Sequence, residues 1–135
     1  MLAFFSPTRA IRKGRPFKKV GNMASANKNL DYMIIKWHKQ TFPDCTYESQ
    51  LLKLEEELEE YKEARKPYKI TELADIYIVS LVLMDRFESL IGSHIFEWAD
   101  KIFKIIGYDA VKEKFEANKD RVWIIDRGVY RHKIE

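Results

Sequence analysis

One cysteine, Cys45, is all the thiol chemistry the sequence holds, which excludes an internal disulfide and any multi-cysteine zinc or iron–sulfur site. A lone thiol accords with a reducing compartment, and a cytoplasmic location is expected. The longest apolar run, Ile76 to Met84, falls far short of the roughly 20 residues a membrane span needs. Five glycines and four prolines are too few for a turn-rich all-β fold and leave helices as the expected element. No internal repeat or low-complexity segment is found. A chain of 135 residues is one ordinary domain, long enough to bury a core without a disulfide or structural metal. At 46% hydrophobic and 33% charged residues it is not disordered as a whole.

The net charge of +3 conceals a split. Arg9, Arg12, Lys13, Arg15, Lys18 and Lys19 fall within residues 1–22 with no acid among them, which leaves residues 23–135 at −3. Basic character therefore belongs to the leader, and nucleic-acid binding by the body is not expected. Residues 1–24 show no helical or strand period and carry Ser6-Pro7, Gly14, Arg15-Pro16 and Gly21-Asn22, so a disordered basic leader is expected there, followed by one helical domain over 25–135. Three readings of the leader stand: an organelle-targeting segment, a nucleic-acid-binding arm, or a non-functional extension with Met23 as the true start. The last is preferred. Secretion is not expected, because no apolar segment follows the charges.

From Asn27 onward the pattern is helical. Leu30, Met33, Ile34 and Trp37 mark a helix over about Lys28 to Gln40. Thr46 caps a second, to about Ala64, ended by Lys66-Pro67-Tyr68. A third opens at Thr71, runs to Leu90 and closes at Gly92. Ser93 caps a fourth, closed by Gly107, and Asp109 a fifth, to about Asn118. Val122 to Arg131, with Asp126-Arg127-Gly128 at its centre, reads as a β-hairpin. The fold class is all-α, a bundle of about five helices with a short C-terminal hairpin.

The acids are informative through their spacing. Glu57 and Glu60 lie three residues apart, as do Glu72 and Asp75, which places each pair about 60° apart on one helix face. If the second and third helices run antiparallel, the four carboxylates face one another. Glu72 and Asp75 continue into Ile76, Val79, Val82 and Leu83, so they stand in line with core positions. Glu57 lies at the edge of the apolar stripe Leu51, Leu54, Leu58 and Tyr61, with Glu60 further round, whereas Glu55, Glu59 and Glu63 point to solvent. Half-buried carboxylates must either pair with cations such as Lys53, Arg65 or Arg86, or bind a metal. An all-oxygen site suits Mg²⁺ or Mn²⁺ better than zinc.

Lys53-Leu54-x-Glu56-Glu57-x-x-Glu60 followed by Glu72-x-x-Asp75 resembles the EExxE…ExxD signature of the MazG-like all-α nucleoside triphosphate pyrophosphohydrolases. Asn118-x-x-Arg121-x-Trp123 is similar to an Asn-x-x-Arg-x-Trp element after the last helix of some members. The resemblance spans about Leu30 to Trp123. It implies hydrolysis of a nucleoside triphosphate between the α- and β-phosphates, with Glu57, Glu60, Glu72 and Asp75 holding Mg²⁺. It leaves Glu56 and Glu57 as candidates for activating water, Glu56 alternatively supporting the site. Negative charge building at phosphorus calls for cations: Arg121 first, then Lys53, Lys101 and Lys104. Asn118 would bond phosphate or sugar, or simply cap its helix. Trp37, Phe42 and Trp123 would stack on the base, although core packing is the default for Trp37. His38, His94 and His132 have no ligand spacing and read as ordinary, and Cys45 as a small buried side chain.

Because the third helix is apolar nearly all round, one copy is expected not to cover it, and a homodimer or dimer of dimers follows. The alternatives are a phosphoribosyl-ATP pyrophosphohydrolase-like enzyme, suggested loosely by Asp75-Ile76-Tyr77, and a non-catalytic module whose acidic helix binds a basic partner. Deleting residues 1–22 is expected to leave turnover unchanged. A large fall in kcat in the shortened protein would give the leader a part in the site.

Overall fold

The computed structural model describes residues 25–133, so the expected leader lies outside the described residues. Among the described residues are five α-helices and one hairpin: α1 (Ser25–Thr41), α2 (Tyr47–Glu63), α3 (Lys69–Phe87), α4 (Leu90–Ile106), α5 (Asp109–Lys119), β1 (Trp123–Asp126) and β2 (Val129–His132). The all-α class with a C-terminal hairpin is as expected. No helix among them is long and apolar enough to cross a membrane.

The central element is α3. It packs against α1, α2, α4 and α5, and every residue from Ile76 to Met84 is buried. Ile76, Tyr77, Val82 and Leu83 have no exposed surface at all within a single chain. This corrects the premise for a second copy: four neighbouring helices of the same chain already cover the apolar helix. Tyr77 has its hydroxyl 2.6 Å from Asp31 Oδ1 and 2.7 Å from Asn27 Oδ1, which ties α1 to α3. Burial pushes the Asp31 carboxyl up to about 7.

The helix boundaries follow identifiable caps. Thr46 starts α2 with a reciprocal box: its Oγ1 accepts from Ser49 N at 3.1 Å, and its own N donates to Ser49 Oγ at 3.2 Å. A 3₁₀ turn at Lys66–Tyr68 reverses the chain, and α3 begins at Lys69, before the expected Thr71. The junction of α3 and α4 departs from expectation. The chain turns at Glu88, with φ 54°, and Ser89 caps α4 by accepting from Gly92 N at 3.0 Å. Neither Gly92 nor Ser93 ends or starts a helix. Gly92 sits inside α4 because a Cβ there would lie 2.6 Å from Leu83 Cβ, so the glycine lets two helices touch. Asp109 is likewise the first residue of α5 and not its cap, a position that Tyr108 takes without a side-chain bond.

The hairpin turns through Arg127 and Gly128, both at positive φ (53° and 80°), the conformation of a two-residue turn that keeps the strands' natural twist. Trp123 pairs with His132 and Asp126 with Val129. Val129 is buried, and Arg131 Nη2 donates to Glu56 Oε2 at 2.5 Å, so the hairpin is anchored on α2.

Gly92→Ala is expected to lower unfolding stability by about 1–3 kcal/mol, because Leu83 Cβ is fixed directly to the α3 backbone and cannot swing away. A denaturant midpoint equal to that of the parent would contradict so close an approach of α3 and α4.

Candidate metal and nucleotide site

Most of the residues singled out from the sequence line one cleft of about 250 Å³. Glu57 and Glu60 from α2 meet Glu72 and Asp75 from α3. Lys53 comes from α2, Trp37 from α1, and Asn118, Arg121 and Trp123 from the end of α5 and the entry to the hairpin. Glu56, one residue from Glu57, is rotated out of the cleft and forms the ion pair with Arg131. Lys101 and Lys104 lie elsewhere, Lys104 pairing with Asp100 at 3.5 Å. Arg65 and Arg86 do not pair with the acids; Arg86 instead bonds His38 and the Phe42 carbonyl.

The acidic end has unequal members. Glu57, Glu72 and Asp75 each bring one carboxylate oxygen to within 4.8 Å of the others, while Glu60 stands at the rim and is exposed. Glu57 is 6% exposed. Two cations relieve part of the repulsion: Lys53 Nζ lies 3.5 Å from Glu57 Oε2 and Lys114 Nζ lies 3.3 Å from Asp75 Oδ2. Yet Glu57 Oε1 and Glu72 Oε1 are buried with no hydrogen-bond partner. Both responses to buried charge are therefore present, pairing on one side and unsatisfied oxygens on the other. Converging carboxylate oxygens, two of the cluster's without a partner, could hold a metal ion.

These surroundings shift the acids upward. Burial first, and Asp75's charge second, push the Glu57 carboxyl up to about 8. Glu72 and Asp75 are also raised, chiefly by burial, with Lys114 opposing the rise at Asp75. Arg121 acts on Asp75 from the same side as Lys114 and donates from Nη1 to Asn118 Oδ1 at 3.1 Å. Asn118, buried, also accepts at its carbonyl from Trp123 Nε1 at 3.0 Å, so it holds both Arg121 and Trp123 in place.

The other end of the cleft is aromatic. Phe42 lies with ring centroids 5.4 Å from Trp37, 5.3 Å from Trp123 and 4.2 Å from Tyr130. Trp37 serves both roles, since it also packs edge-on against the core residue Phe115 at 5.8 Å. Sequence reasoning missed Gln50, Lys114, Tyr130 and the two histidines, His38 and His132, all of which line the cleft. Lys114 was detectable, because it precedes Asn118 by one helical turn on the same face. Gln50 lies three residues before Lys53 and seven before Glu57, on the same stripe. His38 and His132 carry no comparable local signal. Cys45 is buried, as expected.

No family model, curated protein or solved structure matches this chain.

A raised carboxyl pKa means the folded protein keeps protons that the unfolded chain has released. The stability linked to Glu57 is thus full below its ordinary value of 4.5 and is lost as pH rises through about 8. A divalent cation competes with those protons for the same oxygens. The rise in melting temperature caused by Mg²⁺ is expected to be near zero at pH 5 and to grow steadily to pH 8. Taking the difference with and without metal removes the separate titrations of Asp31 and His38. An equal shift at both pH values would count against carboxylate binding.

Proposed function

We propose that the protein is a metal-dependent nucleoside triphosphate pyrophosphohydrolase of the MazG-like kind, adding water across the α–β phosphoanhydride to give a nucleoside monophosphate and pyrophosphate. The observation that carries this reading is the pair of buried, partnerless oxygens on Glu57 and Glu72, converging with Asp75 in a cleft that has cations beside them and aromatic rings at its far end. A Mg²⁺ or Mn²⁺ ion held by Glu57, Glu72 and Asp75, with Glu60 at the rim, would neutralise phosphate charge and acidify a water.

The remaining work falls to the chain itself. Lys114 and Arg121 face the carboxylates and are placed to bind phosphate oxygens, with Lys53 on the opposite wall. Arg121 is held by Asn118, which leaves its other guanidinium nitrogens for phosphate and fixes the direction from which they reach it. Glu57, the most deeply buried acid of the cleft, is the candidate to accept a proton from the attacking water, in its ionised form. Glu56 supports the site indirectly, since its ion pair holds β2, and with it Tyr130 and His132, against α2. Trp37, Phe42 and Trp123 form the slot for the base.

The reading includes a homodimer or dimer of dimers. With α3 already covered, its support is the resemblance together with Ile91, Trp98 and Ile105, which lie exposed on α4.

The test is pyrophosphate release from a panel of ribo- and deoxyribonucleoside triphosphates with Mg²⁺, Mn²⁺ or chelator. Metal-dependent release of pyrophosphate and monophosphate is expected. Asp75→Asn and Glu57→Gln should each lower it by about 100-fold or more while leaving thermal stability equal or higher at pH 8, because like-charge repulsion falls. Undiminished turnover with unchanged metal dependence in Asp75→Asn would sink the metal assignment.

A further inference from the structure

The cleft is polarised along its length. Gln50, Lys53, Glu57 and Glu60 form one stripe of α2, and Gln50 lies two turns, about 10 Å along the axis, from Glu57. On α3, Glu72 and Asp75 lie beside Glu57, whereas Ile78 and Val79 lie beside Gln50. The carboxylates thus mark a phosphate end, and Gln50 is found at the uncharged end, enclosed with Phe42 and His38 and 6% exposed.

The orientation of the Gln50 amide is dictated by a chain of donors. A guanidinium can only donate, so Arg86 Nη1, 2.9 Å from His38 Nδ1, requires a lone pair on that nitrogen. Burial first, and Arg86 second, push His38 down to about 3, so the ring is neutral and its proton rests on Nε2. Gln50 opposes that fall at His38, as an acceptor near the ring would, which fits its Oε1 facing the ring. Cys45 Sγ, 3.4 Å from the same oxygen, donates to it as well. Gln50 Nε2 in turn faces the Val79 carbonyl at 3.5 Å. An amide nitrogen carries two hydrogens, so one N–H remains for the cleft that Gln50 lines. The amide's oxygen is thus turned to Cys45 and its nitrogen to the Val79 carbonyl, and what it leaves for the cleft is a donor.

We propose that Gln50 determines base specificity by donating to a carbonyl oxygen on the edge of the base farthest from the sugar, so that the site selects keto bases over amino bases. This rests on the nucleotide reading above. In a pyrimidine nucleotide the ring atom opposite the sugar-bearing nitrogen is C4, which carries a carbonyl in uracil and thymine and an amino group in cytosine. In purines the corresponding position is C6, a carbonyl in guanine and hypoxanthine and an amino group in adenine. An amino group presented to Gln50 would set donor against donor in a buried site, leaving both unpaired. The amide cannot turn over to offer its oxygen without losing its contacts with Cys45 and the Val79 carbonyl.

The experiment compares calorimetric binding of UMP with CMP, and of IMP with AMP, to the full chain in Mg²⁺, alongside pyrophosphate release from the matching triphosphates. In at least one pair the keto member is expected to bind about tenfold or more tightly, and Gln50→Met, close in volume, should level that preference. The wild-type comparison decides even if the variant does not fold. Equal or amino-favouring affinities, a preference that survives in a folded Gln50→Met, or no binding of any of the four monophosphates would each overturn the assignment of Gln50. Keto-selective binding without pyrophosphate release would uphold it while defeating the hydrolase reading. Release of pyrophosphate without keto preference would do the reverse.

Discussion

A helix buried on every side leaves nowhere along its middle for charge, and this constraint on α3 organises the rest of the molecule. From Ile76 to Met84 all positions are taken by contact with α1, α2, α4 and α5. Its charged side chains therefore fall towards the two ends: Asp85 and Arg86 in the last turn, and Glu72 and Asp75 in the opening turns, where covering is incomplete and the helix's unpaired N–H groups favour negative charge. Asp75 stands at the border, one residue before the fully buried stretch. There its carboxylate is half withdrawn from water yet still within reach of Lys114 and Glu57. The same packing that buries the core lifts the acids' proton affinity, so stability and site chemistry share one cause.

Around that axis the remaining elements fix the cleft's walls at different levels of strength. The α2–α3 pair forms the floor through apolar contacts such as Leu54 and Leu73. The hairpin closes one side with less buried surface, relying on Val129, the Glu56–Arg131 pair and the rings of Trp123 and Tyr130 on Phe42. A short two-stranded hairpin is marginal alone, and here it is held by a partner helix and an aromatic cluster. Far from the cleft, Gly92 sets the closeness of α3 to α4 and so the position of the acid-bearing helix itself.

What the sequence disclosed was mostly local. Thr46 and Gly107 are end signals whose chemistry acts within a few residues, and the i, i+3 spacing of the acids is a property of one helix turn. Gly92 misled because a glycine that permits close contact looks the same in sequence as one that ends a helix; the distance between α3 and α4 is not written in either helix alone. Glu56 and Glu57 are neighbours about 100° apart, and the choice between them is made by Arg131, which only the fold brings near. His38 and His132 enter the cleft by tertiary approach, so spacing rules for ligands could not find them. The premise that one copy would leave α3 uncovered failed for the same reason. Apolarity all round a helix shows that it will be covered, not by which chain.

The lysines beside the acids have one more consequence. With Lys53 on Glu57 and Lys114 on Asp75, the carboxylate cluster already carries its own internal counterions. A divalent cation would then enter by exchange, displacing two ammonium groups from the oxygens they hold. Those groups, released at the mouth of the same cleft, become free to meet an anion. On the proposed reading, metal and polyphosphate would thereby be coupled, each lowering the work of seating the other, and by reciprocity neither should bind as well alone as in the other's presence.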